Sequence, residues 1–418
     1  MIRRIFVSMG MRVLGALAPI LLSYLIIAVY ETDQSSRVLN FLVLVAFIKI
    51  LLARGLPSAS LRFFSSEPDH VEKYFWPTFF TLNLRSLQLA LVTFILVLAI
   101  SDLSIVGALL VVLSALVGVN LLYGRFVAVA QKQVALSIVS DPLGISLVSA
   151  ALLALVTYAH LPVDFTYLYL VAGVLVAIPV LWAIKPASMN IGYGLASADL
   201  KTSARKFYLI NVASYLVNWG SVLAAGHFLS SQHLQDLNMS VRISSAVTLV
   251  LISLNAVFSP DLARAFKTGD RSEIIRISGT YQLWSQLSTL IFCLVLLAGS
   301  DELLHLAKGA DYSAYVLNPL QVVIIGQFIS GLSGPCFGIL NMSGNEHVQL
   351  QAIVVGVVAT ALTLLLLGVH SVHSFAIATS VGVVAQNLFG VFMVHWILGI
   401  NLLFIVFSKE YRNLLGTK

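Results

Sequence analysis

Apolar runs of about twenty residues follow one another along nearly the whole chain, and a helix of that length crosses the hydrocarbon core of a bilayer. Windows of that width predict twelve spans: 8–29, 38–60, 74–100, 104–126, 136–158, 166–184, 207–229, 238–260, 277–298, 315–338, 348–369 and 374–398. The connections are short, and the longest, 185–206, leaves no room for a folded domain outside the membrane. Only 10% of residues are charged and 59% are apolar, with mean hydropathy +0.96. Ordinary soluble domains carry about 25% charged residues. These figures predict a polytopic helical membrane protein.

Charge orients it. Of the 24 lysines and arginines, only Arg37 and Lys308 fall at turns on one side, and only Lys49, Arg85 and Arg242 fall inside spans. The others gather at the N-terminus, the even-numbered exits and the C-terminus. The positive-inside rule then places both termini in the cytoplasm. The net charge of +6 resides in those loops and gives no reason to expect nucleic acid. Hydrophobicity continues past Ala16-Leu17-Ala18 to Tyr30, so the first run reads as a retained helix rather than a cleaved leader. Cys293 and Cys336 lie at bilayer depth, where thiols serve as packing residues.

The chain reads as two halves. Leu61-Arg62-Phe63-Phe64, after span two, matches Ala263-Arg264-Ala265-Phe266, after span eight, and the same spacing carries span one onto span seven. Both repeats start on the cytoplasmic side, so their pseudo-twofold axis would lie along the membrane normal. The expected fold is all-α: two six-helix bundles, 1–184 and 207–398, around a central cavity. Residues 185–206 would link the bundles, and 399–418 would form a cytoplasmic tail.

Polar side chains at helical spacing mark faces turned away from lipid. Span three carries Thr78, Thr81, Arg85 and Gln88. Span eight carries Asn238, Arg242, Ser245, Thr248, Asn255 and Ser259, and span seven carries Asn211, Ser214, Asn218 and Ser221. Span one carries Ser8, Arg12, Gly15, Pro19 and Ser23. Serine, threonine and asparagine also bond helix to helix. An arginine is different, because at mid-bilayer it costs about 3 kcal/mol even on insertion scales. Arg85 and Arg242 have no acid nearby in sequence, and an anionic cargo is the partner they suggest. Lys49 is mid-span, where it lines a cavity or pairs locally. Arg12, Arg54, Arg62 and Arg125 lie near the inner interface, where phospholipid headgroups are the expected partners.

Asp141 enters span five beside Pro142. It reads as a proton or sodium coupling site, an internal partner for a basic residue, or an interfacial cap. His395, in span twelve, reads as a packed neutral histidine. No spacing argues for a metal or a bound cofactor.

Three local stretches resemble the polysaccharide branch of the multidrug/oligosaccharidyl-lipid/polysaccharide (MOP) exporter superfamily, the Wzx-type flippases. They are Gly55-Leu56-Pro57-Ser58 through Arg62, Ser259-Pro260-Asp261-Leu262-Ala263-Arg264 with Gly269-Asp270, and Gly326-Gln327 through Asn341-Met342-Ser343-Gly344-Asn345-Glu346. The twelve-span layout extends the resemblance over nearly the whole length. It implies a bacterial inner-membrane protein, not an enzyme, that moves an undecaprenyl-pyrophosphate-linked oligosaccharide to the periplasmic leaflet. Working partners would be membrane lipids, a polysaccharide polymerase and a chain-length regulator. Arg85, Arg242, Lys49 and Arg12 would then hold the pyrophosphate. Thr81, Gln88, Asn211, Asn218, Ser245, Thr248 and Asn255 would give the sugar a wet polar lining. The alternatives are a drug/cation antiporter of the same superfamily, which would favour cavity carboxylates, and a membrane-bound polymerase or glycosyltransferase, which needs catalytic acids or a large external loop.

Overall fold

A computed structural model describes residues 2–66, 69–100, 103–131, 133–186, 198–308 and 318–416, and 88% of those residues are helical with no strand among them. Contacts divide the chain into two compact units, 14–212 and 213–418, with 1–13 assigned to the second.

The N-terminal unit holds α1 (Ile2–Val29) from residue 14 on, α2 (Thr32–Ala53), α3 (Leu56–Ser66), α4 (Asp69–Ile100), α5 (Ile105–Ala130), α6 (Val134–Ile138), α7 (Gly144–Tyr158) and α8 (Phe165–Ile184), together with the first half of α9 (Ala198–Ala225). Helix α5 is its centre, packed by α2, α3, α4 and α8. The reason is in its sequence: Ala108, Ser114, Ala115 and Gly118 are all buried, and small residues let helices approach closely where lipid supplies no hydrophobic drive. Ser104 caps its start by accepting from the Gly107 N–H at 3.1 Å. The buried Tyr123 hydroxyl donates to the Phe75 carbonyl at 2.9 Å, so its polar tip is satisfied inside the unit.

Span five is broken. Asp141 leaves helical geometry (φ −167°, ψ 122°) in a π-type turn over 139–143, and the segments on either side meet at 51°. Proline at 142 supplies the cause, since it offers no N–H to the ladder and disfavours helical geometry at the residue before it.

The C-terminal unit holds the rest of α9, then α10 (Ser231–Thr268), α11 (Arg271–Ala298), α12 (Ser300–Lys308), α13 (Pro319–Leu332), α14 (Cys336–Met342), α15 (Glu346–Leu367), α16 (Val372–Leu398) and α17 (Lys409–Gly416). Asp270 caps α11; the Ser272 hydroxyl and the Glu273 N–H donate to it and hold its carboxyl below the usual range. Helices α13 and α14 meet at 42° across Ser333-Gly334-Pro335. The break frees the Leu332 carbonyl, and Gln282 of α11 donates to it at 2.8 Å. Cys293 and Cys336 are both buried, as free thiols. After Gly399 the chain folds back under the unit, burying Ile400, Leu402, Ile405 and Tyr411, with the Tyr411 ring against Gly279.

Among the described residues eight helices are long and apolar enough to cross a membrane, and ten if each bent pair counts as one span. The expected spans 8–29 and 238–260 fall in α1 and α10. Large apolar side chains cover the outside, such as Leu84, Leu87 and Leu91 on α4 and Leu362, Leu365 and Leu366 on α15. Lipid requires that surface.

Candidate functional site

Helix α2 ends at Ala53, and the next two residues both turn left-handed: Arg54 (φ 49°, ψ 32°) and Gly55 (φ 70°). Gly55 is pressed against the backbone of Ala204 and Tyr208, with no room for a Cβ. Helix α4 is pinned to this terminus, where Ser86 Oγ donates to the Leu52 carbonyl at 3.0 Å. Arg85 therefore stands beside the end of α2, close enough to Arg54 for the two like charges to act on each other. Arg54 is exposed and Arg85 half-buried. Among the described residues neither is hydrogen-bonded or ion-paired to an acid. The carbonyls that terminate α2 attract a cation. Two like charges within range of each other still repel until an anion joins them.

Lys49 is engaged elsewhere. Its Nζ donates to Asp141 Oδ2 at 3.1 Å, and Arg125 Nη1 lies 3.9 Å from the same oxygen. The lysine stem runs against Gly118, where a Cβ would come within 2.9 Å of Lys49 Cδ. Three elements distant in sequence thus meet at one carboxylate, and of the readings open to Asp141 the structure gives an internal ion pair.

In the C-terminal unit the Arg242 guanidinium lies over the Trp219 ring at 5.5 Å, and Trp219 stacks on Tyr215. Several expected lining residues spend their polar atoms inside a bundle. Thr81 donates to the Pro77 carbonyl at 2.7 Å, Asn218 to the Ser214 carbonyl at 2.7 Å and Ser245 to the Arg242 carbonyl at 2.6 Å. Asn211 joins Ser58 at 3.1 Å, Thr248 joins Gln327 at 3.3 Å, and Asn255 lies against Gly338. Gln88 is exposed. The side chain of Arg12 lies outside the described residues. His395, expected to be packed, sits on the exposed side of α16 near Trp396.

Sequence reading missed Asp236. It is 2% exposed, beside buried Gln235 and Asn238, because α10 starts at Ser231 and not at the apolar boundary of 238. The i,i+4 step from Asp236 to Ser240 was the available signal. Among the described residues no group of three His, Cys, Asp or Glu could hold a metal ion.

No family model and no curated protein matches the chain. Solved structures do. A point mutant of the Vibrio cholerae MATE transporter VcmN superposes with TM-score 0.67 over 96% of this chain and 98% of its own, at 16% identity. The chain has the fold of the MATE transporters. An inward-facing multidrug resistance MATE family transporter of the MOP superfamily gives TM-score 0.65 at 13% identity, covering 97% of this chain and 96% of that one. A MOP superfamily transporter from Pyrococcus furiosus, described as having a binding pocket of reverse polarity that suggests a different function, gives 0.63 at 10% identity, covering 94% and 95%. At these identities the likeness concerns the fold, and cargo has to be argued from side chains.

Proposed function

We propose that the chain is a membrane transporter for an anionic, lipid-linked cargo, and that Arg54 and Arg85 receive the cargo's phosphate groups. One observation carries the reading: two guanidiniums brought together at the end of α2, neither paired with an acid among the described residues. Guanidinium binds phosphate oxygens two at a time, and a diphosphate offers enough oxygens for both arginines. Arg242, with its face on Trp219, is a second cation at bilayer depth. The cargo class that joins a diphosphate to a membrane-soluble tail and a polar head is a polyprenyl-diphosphate-linked oligosaccharide, and the bacterial inner membrane is where it would be moved.

A second reading, a drug/cation antiporter, is favoured by two observations. The solved neighbours include a multidrug resistance MATE transporter, and Asp236 provides a buried carboxylate in the C-terminal unit.

The two readings separate in cells lacking the gene. The anionic reading expects surface polysaccharide to be lost on deletion, restored by the wild-type chain and not by Arg85→Ala at equal abundance, with efflux of a cationic dye unchanged. Restored dye efflux that depends on Asp236, with polysaccharide unaffected, would establish the antiporter instead.

A further inference from the structure

The cluster of Lys49, Arg125 and Asp141 holds one more positive charge than negative, and the surplus falls on the group that is bonded least. Lys49 Nζ is within hydrogen-bond distance of Asp141 Oδ2 at 3.1 Å, whereas Arg125 Nη1 stands 3.9 Å from the same oxygen. At that distance Arg125 is attracted to the carboxylate without committing a donor to it. Among the described residues its guanidinium also lies over the ring of its neighbour Phe126, 5.8 Å from the guanidinium carbon, and makes no hydrogen bond. Its side chain is 34% exposed, against 19% for Lys49 and 13% for Asp141. An open, five-donor fork thus lies at the edge of a half-neutralised pair.

Depth points to the class of ligand. Lys49 and Arg125 each stand a few residues before the ends of α2 and α5. At about 1.5 Å per residue, that places Arg125 within about 8 Å of the helix end on the side the charge pattern assigns to the cytoplasm, with Lys49 deeper, because the chain continues past α2 as α3 within the expected span 38–60. Phosphates of lipid headgroups, and of lipid-linked sugars awaiting transport, occupy that zone. The break at Asp141 matters too. The carboxylate sits on an extended residue between two helical segments, so its position is set by the two cations more than by a continuous helix.

We propose that Asp141 is a resident counter-ion, holding Lys49 and Arg125 in register for a phosphate oxyanion that takes Arg125 through two oxygens and shares Lys49 with the carboxylate. The site deepens the anionic-cargo reading and rests on it for the cargo's identity alone. A phospholipid headgroup and a diphosphate-linked cargo present the same oxyanion, and the measurement separates them.

The test is thermal unfolding of the full-length protein in a zwitterionic detergent. Inorganic pyrophosphate is titrated against sodium chloride of equal ionic strength, and phosphatidylglycerol is titrated into the micelles in a parallel arm. Wild type should be stabilised by the oxyanion beyond the chloride control. Asp141→Asn, which removes the competing charge, should start lower and reach half-effect at a concentration at least tenfold smaller. Arg125→Gln, at a one-third exposed position, should fold and lose the response, while Arg125→Lys keeps part of it. A response to phosphatidylglycerol alone assigns the site to headgroups, and a response to pyrophosphate assigns it to the cargo. A response that survives Arg125→Gln unchanged, or that is no stronger in Asp141→Asn, overturns the proposal. Every variant is compared in an Arg85→Ala background, which removes the other proposed phosphate site, so that the response read is that of the Arg125 site alone and the two sites fail separately.

Discussion

Lys49 Nζ and Asp141 Oδ2 lie 3.1 Å apart across 92 residues of sequence, and this pair ties α2 to the broken span five. Arg125 shares the carboxylate, which makes the two partners unequal. Removing the acid strands two cations, whereas removing the lysine leaves a neutral Asp141–Arg125 pair. Asp141→Asn should therefore destabilise the protein by about 3 kcal/mol, the usual loss when one partner of a buried pair is deleted. Lys49→Met should cost clearly less. Unfolding midpoints in detergent check the order, and a larger loss for Lys49→Met would show that Arg125 does not share the carboxylate.

Arg54 occupies a left-handed backbone position that a non-glycine residue enters at a cost of about 1 kcal/mol. Arg54→Gly should relieve that cost and raise stability slightly while lowering transport, the signature of a residue kept for its side chain. Gly55→Ala should do the opposite. Its Cβ meets the backbone of Ala204 and Tyr208, so the loss should exceed about 3 kcal/mol and show as low membrane abundance. Normal abundance of Gly55→Ala would mean that the turn after α2 differs from the one described.

Much of this architecture was legible in the sequence because its cause is local. Twenty-residue apolar runs specify membrane helices, and proline at 142 and at 335 marks the two bent helix pairs. Pairing was not legible, because it depends on which helix faces meet. Lys49 read as an isolated mid-span cation until α5 and the break at Asp141 were placed against it. Arg54 read as a headgroup anchor; only the hydrogen bond from Ser86 to Leu52 brings Arg85 to its side. Asp236 escaped because hydropathy trims a helix where polarity begins, and α10 continues buried past that point.

The bend between α13 and α14 is stabilised from outside those two helices. Gln282 Nε2 donates to the Leu332 carbonyl that the break frees. Gln282→Leu should leave that carbonyl unsatisfied in a part-buried site and cost about 1–2 kcal/mol. Gln282→Asn, with a shorter reach, should recover little of it. Thermal unfolding of both variants measures this, and a wild-type midpoint for Gln282→Leu would mean the carbonyl has another donor.

Orientation follows from the distribution of lysine and arginine. With Cys293 and Cys336 replaced, single cysteines at Ser203 and Ser272 should be labelled by a membrane-impermeant maleimide only after the cells are opened, and one at Ser231 in intact cells. Labelling of position 272 from outside would invert the assignment.

The central claim is that the cargo is an anion held by arginine. Its most direct test is transport in proteoliposomes containing purified protein and a fluorescent polyprenyl-diphosphate sugar, followed by the fraction accessible to a quencher in the opposite leaflet. Losing a contact to a desolvated phosphate costs about 2–5 kcal/mol. Arg85→Ala and Arg54→Ala should each slow transport more than tenfold, and Arg85→Lys should retain part, since lysine restores the charge without the two-oxygen geometry. Wild-type rates in both alanine variants, or a wild-type protein that moves a cationic dye and leaves the diphosphate lipid where it was, would contradict the account.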